Sequence, residues 1–311
     1  MSHREQLMVP PPEFESYYGR QIIKTPTWKS PDVPLYFFLG GIAGASAVLA
    51  EGAALTGRPG LERVARMAAA GGAAAGTAAL VHDLGRPERF LNMLRVVKPT
   101  SPLSVGSFIL APFSTLSGIS AASNVTGRLP GVGRLAGLGA AALGPPLAAY
   151  TAGLIANTAV PAWHEAHREL PYVFAGSGAA AAGGLGMLLA PYAETGPALR
   201  LAVGGALVES AAVQLMKRRL GMLAEPYHEG RSGRLMKAAE RITGAALALS
   251  ALGVGSRSAR RLAGATFLAG SVVTRFGVFE AGLASARDPK YTVVPQKERL
   301  AARRREAAAA P

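Results

Sequence analysis

Seven ionisable residues interrupt stretches that are otherwise almost purely apolar: Glu51, His82, Asp83, Glu209, Arg241, Arg275 and Glu280. In hydrocarbon such a group costs roughly 3 kcal/mol, so each is a candidate for function. Tyr36 and Tyr150 add two hydroxyls near the ends of their stretches. Depth counted at about 1.5 Å per residue puts Tyr36, His82, Asp83, Tyr150 and Arg275 in one leaflet, on the side of the termini. Tyrosine, histidine and carboxylate groups at a headgroup boundary suit a quinone. That ligand needs a donor near each carbonyl oxygen and a proton source for its reduced form. Each residue taken alone also has a structural reading: Tyr36 as an interfacial belt residue, His82 and Asp83 as helix caps, Arg275 as the partner of a carboxylate. Glu51, Glu209 and Glu280 are candidates for proton transfer. Glu51 and Glu209, near the far end of one stretch and the middle of another, equally suit a polar clamp between helices. Arg241 has no partner that the sequence identifies.

These residues need elements to carry them. Half of the 311 residues are hydrophobic and 17% are charged, against about a quarter in soluble domains. Eight segments are long and apolar enough to span a bilayer: 33–56, 64–83, 104–124, 134–157, 171–192, 196–216, 235–254 and 259–284. A soluble helical protein is excluded because eight such segments leave almost no polar outer face. The 38 glycines and few aromatics suit close helix–helix packing. The second, fourth and seventh segments are only mildly hydrophobic and need neighbours to insert. The fold expected is an all-α integral membrane protein with eight transmembrane helices. "VPLYFFLGGIAGASAVL" from Val33 and "LPYVFAGSGAAAAGGLGML" from Leu170 form a faint repeat. It predicts two four-helix bundles, 33–157 and 158–284, between an extended Pro-containing tail (1–32) and a basic tail (285–311).

The net charge of +14 is dispersed between apolar runs rather than gathered on a soluble face, which argues against nucleic acid. Counted with the adjoining span ends, 22 Lys and Arg residues lie on the terminal side and 9 opposite. That bias predicts cytoplasmic termini. The first residues lack the apolar core of a secretory signal. With no cysteine, the chain holds no iron–sulfur cluster or disulfide of its own. Its histidines, His3, His82, His164, His167 and His228, lie in tails, in loops or at a span end, which argues against a bis-histidine haem inside the bilayer.

Between the second and third spans lies "VHDLGRPERFLNMLRVVKP", residues 81–99. With the following "TSPLSVGSF" it resembles the Asp-Leu-Gly-Arg-Pro loop and helix start of the NrfD/PsrC family, membrane anchors of molybdopterin oxidoreductases. "PLYFFLGGIAGAS", "YTAGLIANTAVPAWHE" and "RFGVFEAGLASARDP" extend the likeness over roughly residues 28–290. The resemblance implies a prokaryotic plasma-membrane anchor that binds menaquinone or ubiquinone. Its partners would be a subunit with four [4Fe-4S] clusters and a molybdenum or tungsten subunit carrying molybdopterin. It makes Tyr36 and Tyr150 the best positional matches to quinone-site residues, with Tyr36 standing where some members have histidine. Arg86, Arg89, Arg95 and Lys98 would then meet the docked partner, and a polysulfide reductase-like or formate dehydrogenase-like complex is implied. Two other readings remain open: an ion-coupled secondary transporter and a passive scaffold for a redox partner.

Overall fold

The computed structural model describes residues 21–84, 86–252 and 255–309, so most of the expected N-terminal tail lies outside the described residues. Those described form helices and connections, with no strand among them. Nine long helices follow in order: α1 (Asp32–Leu55), α2 (Pro59–Asp83), α3 (Pro102–Thr126), α4 (Pro130–Ala156), α5 (Leu170–Leu189), α6 (Gly196–Arg219), α7 (Gly230–Leu252), α8 (Arg257–Arg287) and α9 (Lys290–Ala309). Proline occupies the first turn of α2 through α6. There its missing N–H costs nothing and its fixed φ already suits a helix.

Seven helices, α1 to α6 and α8, are long and apolar enough to cross a membrane. The expected seventh span, α7, matches them in length and packs along α8, but Lys237, Glu240 and Arg241 load its first half with charge. Lys217 at the end of α6 meets Glu240 at 2.5 Å, while Arg241 is exposed and forms no ion pair among the described residues. The basic tail expected over 285–311 is helical from Lys290.

The helices that open the two repeat copies, α1 and α5, are the most buried of the spans. α1 packs on α2, α4 and α5, whereas α5 packs on α6, α8 and α1; α3 lies against α4 as α7 lies against α8. Small residues set these approaches. A methyl group on Gly178 would come within 2.8 Å of the Gly41 carbonyl oxygen, and Gly44 and Gly144 meet backbone to backbone where α1 crosses α4. Gly176 with Gly205, and Gly184 with Gly264, do the same for α5 against α6 and α8.

Candidate functional site

Tyr36 sits in the first turns of α1 and Tyr150 in the last turns of α4, so antiparallel neighbours bring both to the terminal-side half. Their rings meet edge to face with centroids 6.4 Å apart. Glycines clear the space for both. The Tyr36 ring packs over Gly76 of α2, and a methyl on Gly106 of α3 would overlap the Tyr150 ring. Tyr36 is 2% exposed, and its hydroxyl has no hydrogen-bond partner among the described residues. A buried orphan hydroxyl loses the hydrogen bonds that water would have supplied, which points to a missing acceptor.

In the same half, between α2 and α3, lies an apolar cavity of about 190 Å³ that neither tyrosine lines. Leu80, Leu110 and Ala111 form its walls, Thr77 and Ser107 contribute hydroxyls, and Phe90 and Leu94 roof it. Leu80 and Leu110 belong to the same packed core as Tyr36 and Tyr150. The roof is a 3₁₀ helix, Pro87–Leu94, built from the middle of the 81–99 stretch. That stretch therefore turns apolar residues inward and leaves Arg86, Arg89, Arg95 and Lys98 exposed. Among the described residues none of these four forms an ion pair, and exposed Leu91, Val96 and Val97 lie between them.

The other expected site residues go elsewhere. His82 is largely exposed, with Nδ1 2.9 Å from Asp32 Oδ2, and Asp83 Oδ1 accepts from the Lys29 backbone N–H at 2.9 Å. His82 thus ties the start of α1, and Asp83 the segment 21–31, to the end of α2, and neither lines the cavity. Trp28 in that segment stacks on Trp163, with centroids 5.8 Å apart. Arg275 is fully buried on α8, where Nη2 donates to the Phe174 carbonyl at 2.6 Å and the guanidinium lies over the Phe174 ring. Glu209 is close by and accepts from Thr274 Oγ1 at 2.6 Å, but its charge and that of Arg275 do not meet directly. Glu209 Oε2 and Arg275 Nε and Nη1 have no partner among the described residues. Glu280 is 3.9 Å from Arg231 near the terminal side.

Glu51 finds a partner that the sequence reading missed. Arg66 on α2, 6% exposed, pairs with Glu51 at 2.9 Å and Glu62 at 2.8 Å, and also donates to Ser120 of α3. The signal was present: Glu62 and Arg66 stand four apart at the start of a helix. Arg66, Glu62, Ser120 and Asn124 line a polar cavity of about 360 Å³ at the opposite face. On the terminal side, Arg219 bonds Glu169 through two nitrogens at 2.6 Å and holds its carboxyl below the usual carboxylate range.

A comparison with curated proteins finds no match. The family described as "Polysulphide reductase, NrfD" matches residues 24–216, which takes in Tyr36, Tyr150, the 81–99 stretch, Glu51 and Glu209 and stops before α7 and α8. The match covers more than half of the sequence, and it falls on the helices that build the tyrosine pair and its cavity: the chain belongs to the NrfD polysulphide reductase family of membrane proteins.

Proposed function

We propose that this chain is the quinone-reactive membrane anchor of a molybdenum or tungsten oxidoreductase complex, exchanging electrons with an iron–sulfur subunit. The supporting observation is the Tyr36–Tyr150 pair, with a buried orphan hydroxyl, in the same packed core as Leu80 and Leu110, which wall an apolar cavity roofed by the charged loop. The residues fit the ligand: apolar walls suit a ring and the start of an isoprenoid tail, and the unpartnered hydroxyls of Ser114 in the cavity wall and Tyr36 in the same core suit its carbonyl oxygens. A quinone bound there would supply two-electron, two-proton redox chemistry. The chain's part is to exclude water with Leu80, Leu110 and Phe90, donate a hydrogen bond from Tyr36, and hold Tyr150 in place with Gly106 and the Tyr36 ring. His82 and Asp83 at the adjoining surface connect that chemistry to the aqueous phase, and Glu51 and Glu209 serve proton transfer deeper in the bilayer. Arg86, Arg89, Arg95 and Lys98 form the docking face for the iron–sulfur subunit, in a prokaryotic plasma membrane with cytoplasmic termini.

The test is purification of the chain from its native membrane. An iron–sulfur subunit should accompany it, and quinol added to the complex should reduce the clusters. Isolation with no redox partner, together with ion uptake by vesicles holding the chain alone, would instead favour a transporter. The buried Glu51–Arg66 and Glu209–Arg275 groups are the observation behind that second reading. A complex whose clusters stay oxidised in the presence of quinol would leave only a scaffold.

A further inference from the structure

The face opposite the termini carries a second cavity, of about 260 Å³, where α5 ends and α8 begins. It is far from the tyrosine pair and plays no part in the function proposed above. Met187, Ala190 and Pro191 make one wall, and Arg257 and Arg261, one helical turn apart on α8, make the other. Tyr192 stands between the walls. Its ring is covered by Arg257 and Arg260, whose guanidinium carbons lie 5.8 and 5.4 Å from the ring centroid. Arg260 is also anchored, donating to Thr195 Oγ1 at 3.1 Å. Arg257 and Arg261 are exposed, and neither forms a side-chain hydrogen bond or ion pair among the described residues. The neighbouring carboxylate, Glu194, is turned away and accepts the Leu61 backbone N–H at 2.8 Å. No carboxylate lines the cavity among the described residues.

We propose that this cavity binds the phosphate headgroup of an anionic phospholipid, with Arg257 and Arg261 as the anion ligands and Tyr192 as the floor against which Arg257 is held. Guanidinium groups match phosphate oxygens in pairs and are weakly hydrated, so they can hold an anion at the edge of a low-dielectric region. Three features favour a lipid over a free anion. The cavity lies where two spans end, at headgroup depth. One wall is apolar, as a glycerol backbone requires. Leu189 and Leu262, each one residue deeper than a cavity-lining neighbour, are exposed and begin the lipid-facing surface along which acyl chains would run. Tyrosine at this depth is the usual interfacial residue.

Native mass spectrometry of the full chain in detergent, titrated with phosphatidylglycerol or phosphatidylcholine, tests the assignment. Wild-type protein should retain phosphatidylglycerol in preference to phosphatidylcholine. Arg257→Gln with Arg261→Gln should lower phosphatidylglycerol affinity by about fivefold per arginine. Arg128→Gln, an exposed arginine of the same face outside the cavity, should change it less than about twofold. Inorganic phosphate in the millimolar range should not displace the lipid. Equal affinity for the two lipids in the wild type overturns the proposal without recourse to any variant. So does an unchanged affinity in the double variant, and displacement by phosphate would make the cavity a site for free anions.

Discussion

At the scale of single residues, the proposed terminal-side site rests on two hydroxyls and the glycines that admit their rings. Tyr150→Phe removes a hydroxyl but keeps the ring over Gly106, so assembly should be preserved while the quinol oxidation rate falls by about 100-fold, the usual worth of a positioned proton donor. Stopped-flow reduction of the partner's clusters measures it, and an unchanged rate would remove Tyr150 from the site. Arg66 belongs to a different class. Arg66→Met leaves Glu51 buried without its cation and should cost about 3–5 kcal/mol, seen as a lower thermal midpoint. Adding Glu51→Gln to that variant should recover much of the loss, because the orphan charge is then gone. Glu51 and Glu209 were legible as buried carboxylates because no other charged residue lies within six positions of either in sequence. Their partners were not. Arg66 lies in the weakest of the early apolar segments and counted toward a loop, and Thr274 is 65 positions from the carboxylate it bonds.

At the scale of elements, the spans were legible from their apolar runs, and most boundaries fall within a few residues of expectation, several helices opening on a proline just ahead of the run. The exceptions have physical causes. α2 and α7 each begin five residues early, α2 because Pro59 opens the helix ahead of the apolar run and α7 because Gly230 and Arg231 continue it, and α8 extends three residues past its run on the terminal side. Which faces meet was not legible, since a stripe of glycine shows that a close approach exists without naming its partner. The Gly44–Gly144 crossing sets the α1–α4 distance and through it the distance between Tyr36 and Tyr150. Gly44→Leu should therefore separate the two rings, cost about 1–3 kcal/mol in stability and abolish quinol oxidation together. A variant that melts earlier but oxidises quinol normally would show that the crossing does not govern the pair. Between α3 and α4, exposed Leu129 holds a φ of 51°, which a side chain resists. Leu129→Gly should raise stability by about 0.5 kcal/mol once the added freedom of the unfolded chain is subtracted.

At the scale of the whole molecule, charge is divided between surfaces, and the terminal face is tied together by ion pairs between segments distant in sequence. Glu169, held below its usual carboxylate range by Arg219, joins the start of α5 to the end of α6. A carboxyl depressed in the folded state stabilises that state above the unfolded pKa, and its contribution disappears as pH falls through the folded value. Glu169→Gln should therefore lower the thermal midpoint at pH 7, with wild type and variant converging as the pH drops below about 4. A constant gap across that range would assign the effect to shape rather than charge. The sidedness of the charge was legible from counting alone. The second cavity at the opposite face was not, because Tyr192 and Arg257 approach only when α5 and α8 stand together.

Residues 21–31 also bear on the order of events during synthesis. Trp28 leaves the ribosome before any span, yet the surfaces that receive it appear later: Asp83 at the end of α2, then Trp163 after α4. Trp163 in turn is held by α8, donating to the Val278 carbonyl at 2.8 Å and pressing on Gly282, where no side chain could fit. The first described residues can thus settle only after the last span has inserted, so the face that would receive a partner is finished last. A nascent chain arrested before α8 should leave Trp28 open to protease and quencher, and release of the full chain should protect it. In that sense the segment would act as a completion mark, distinguishing a finished chain from an unfinished one before any partner docks on that face.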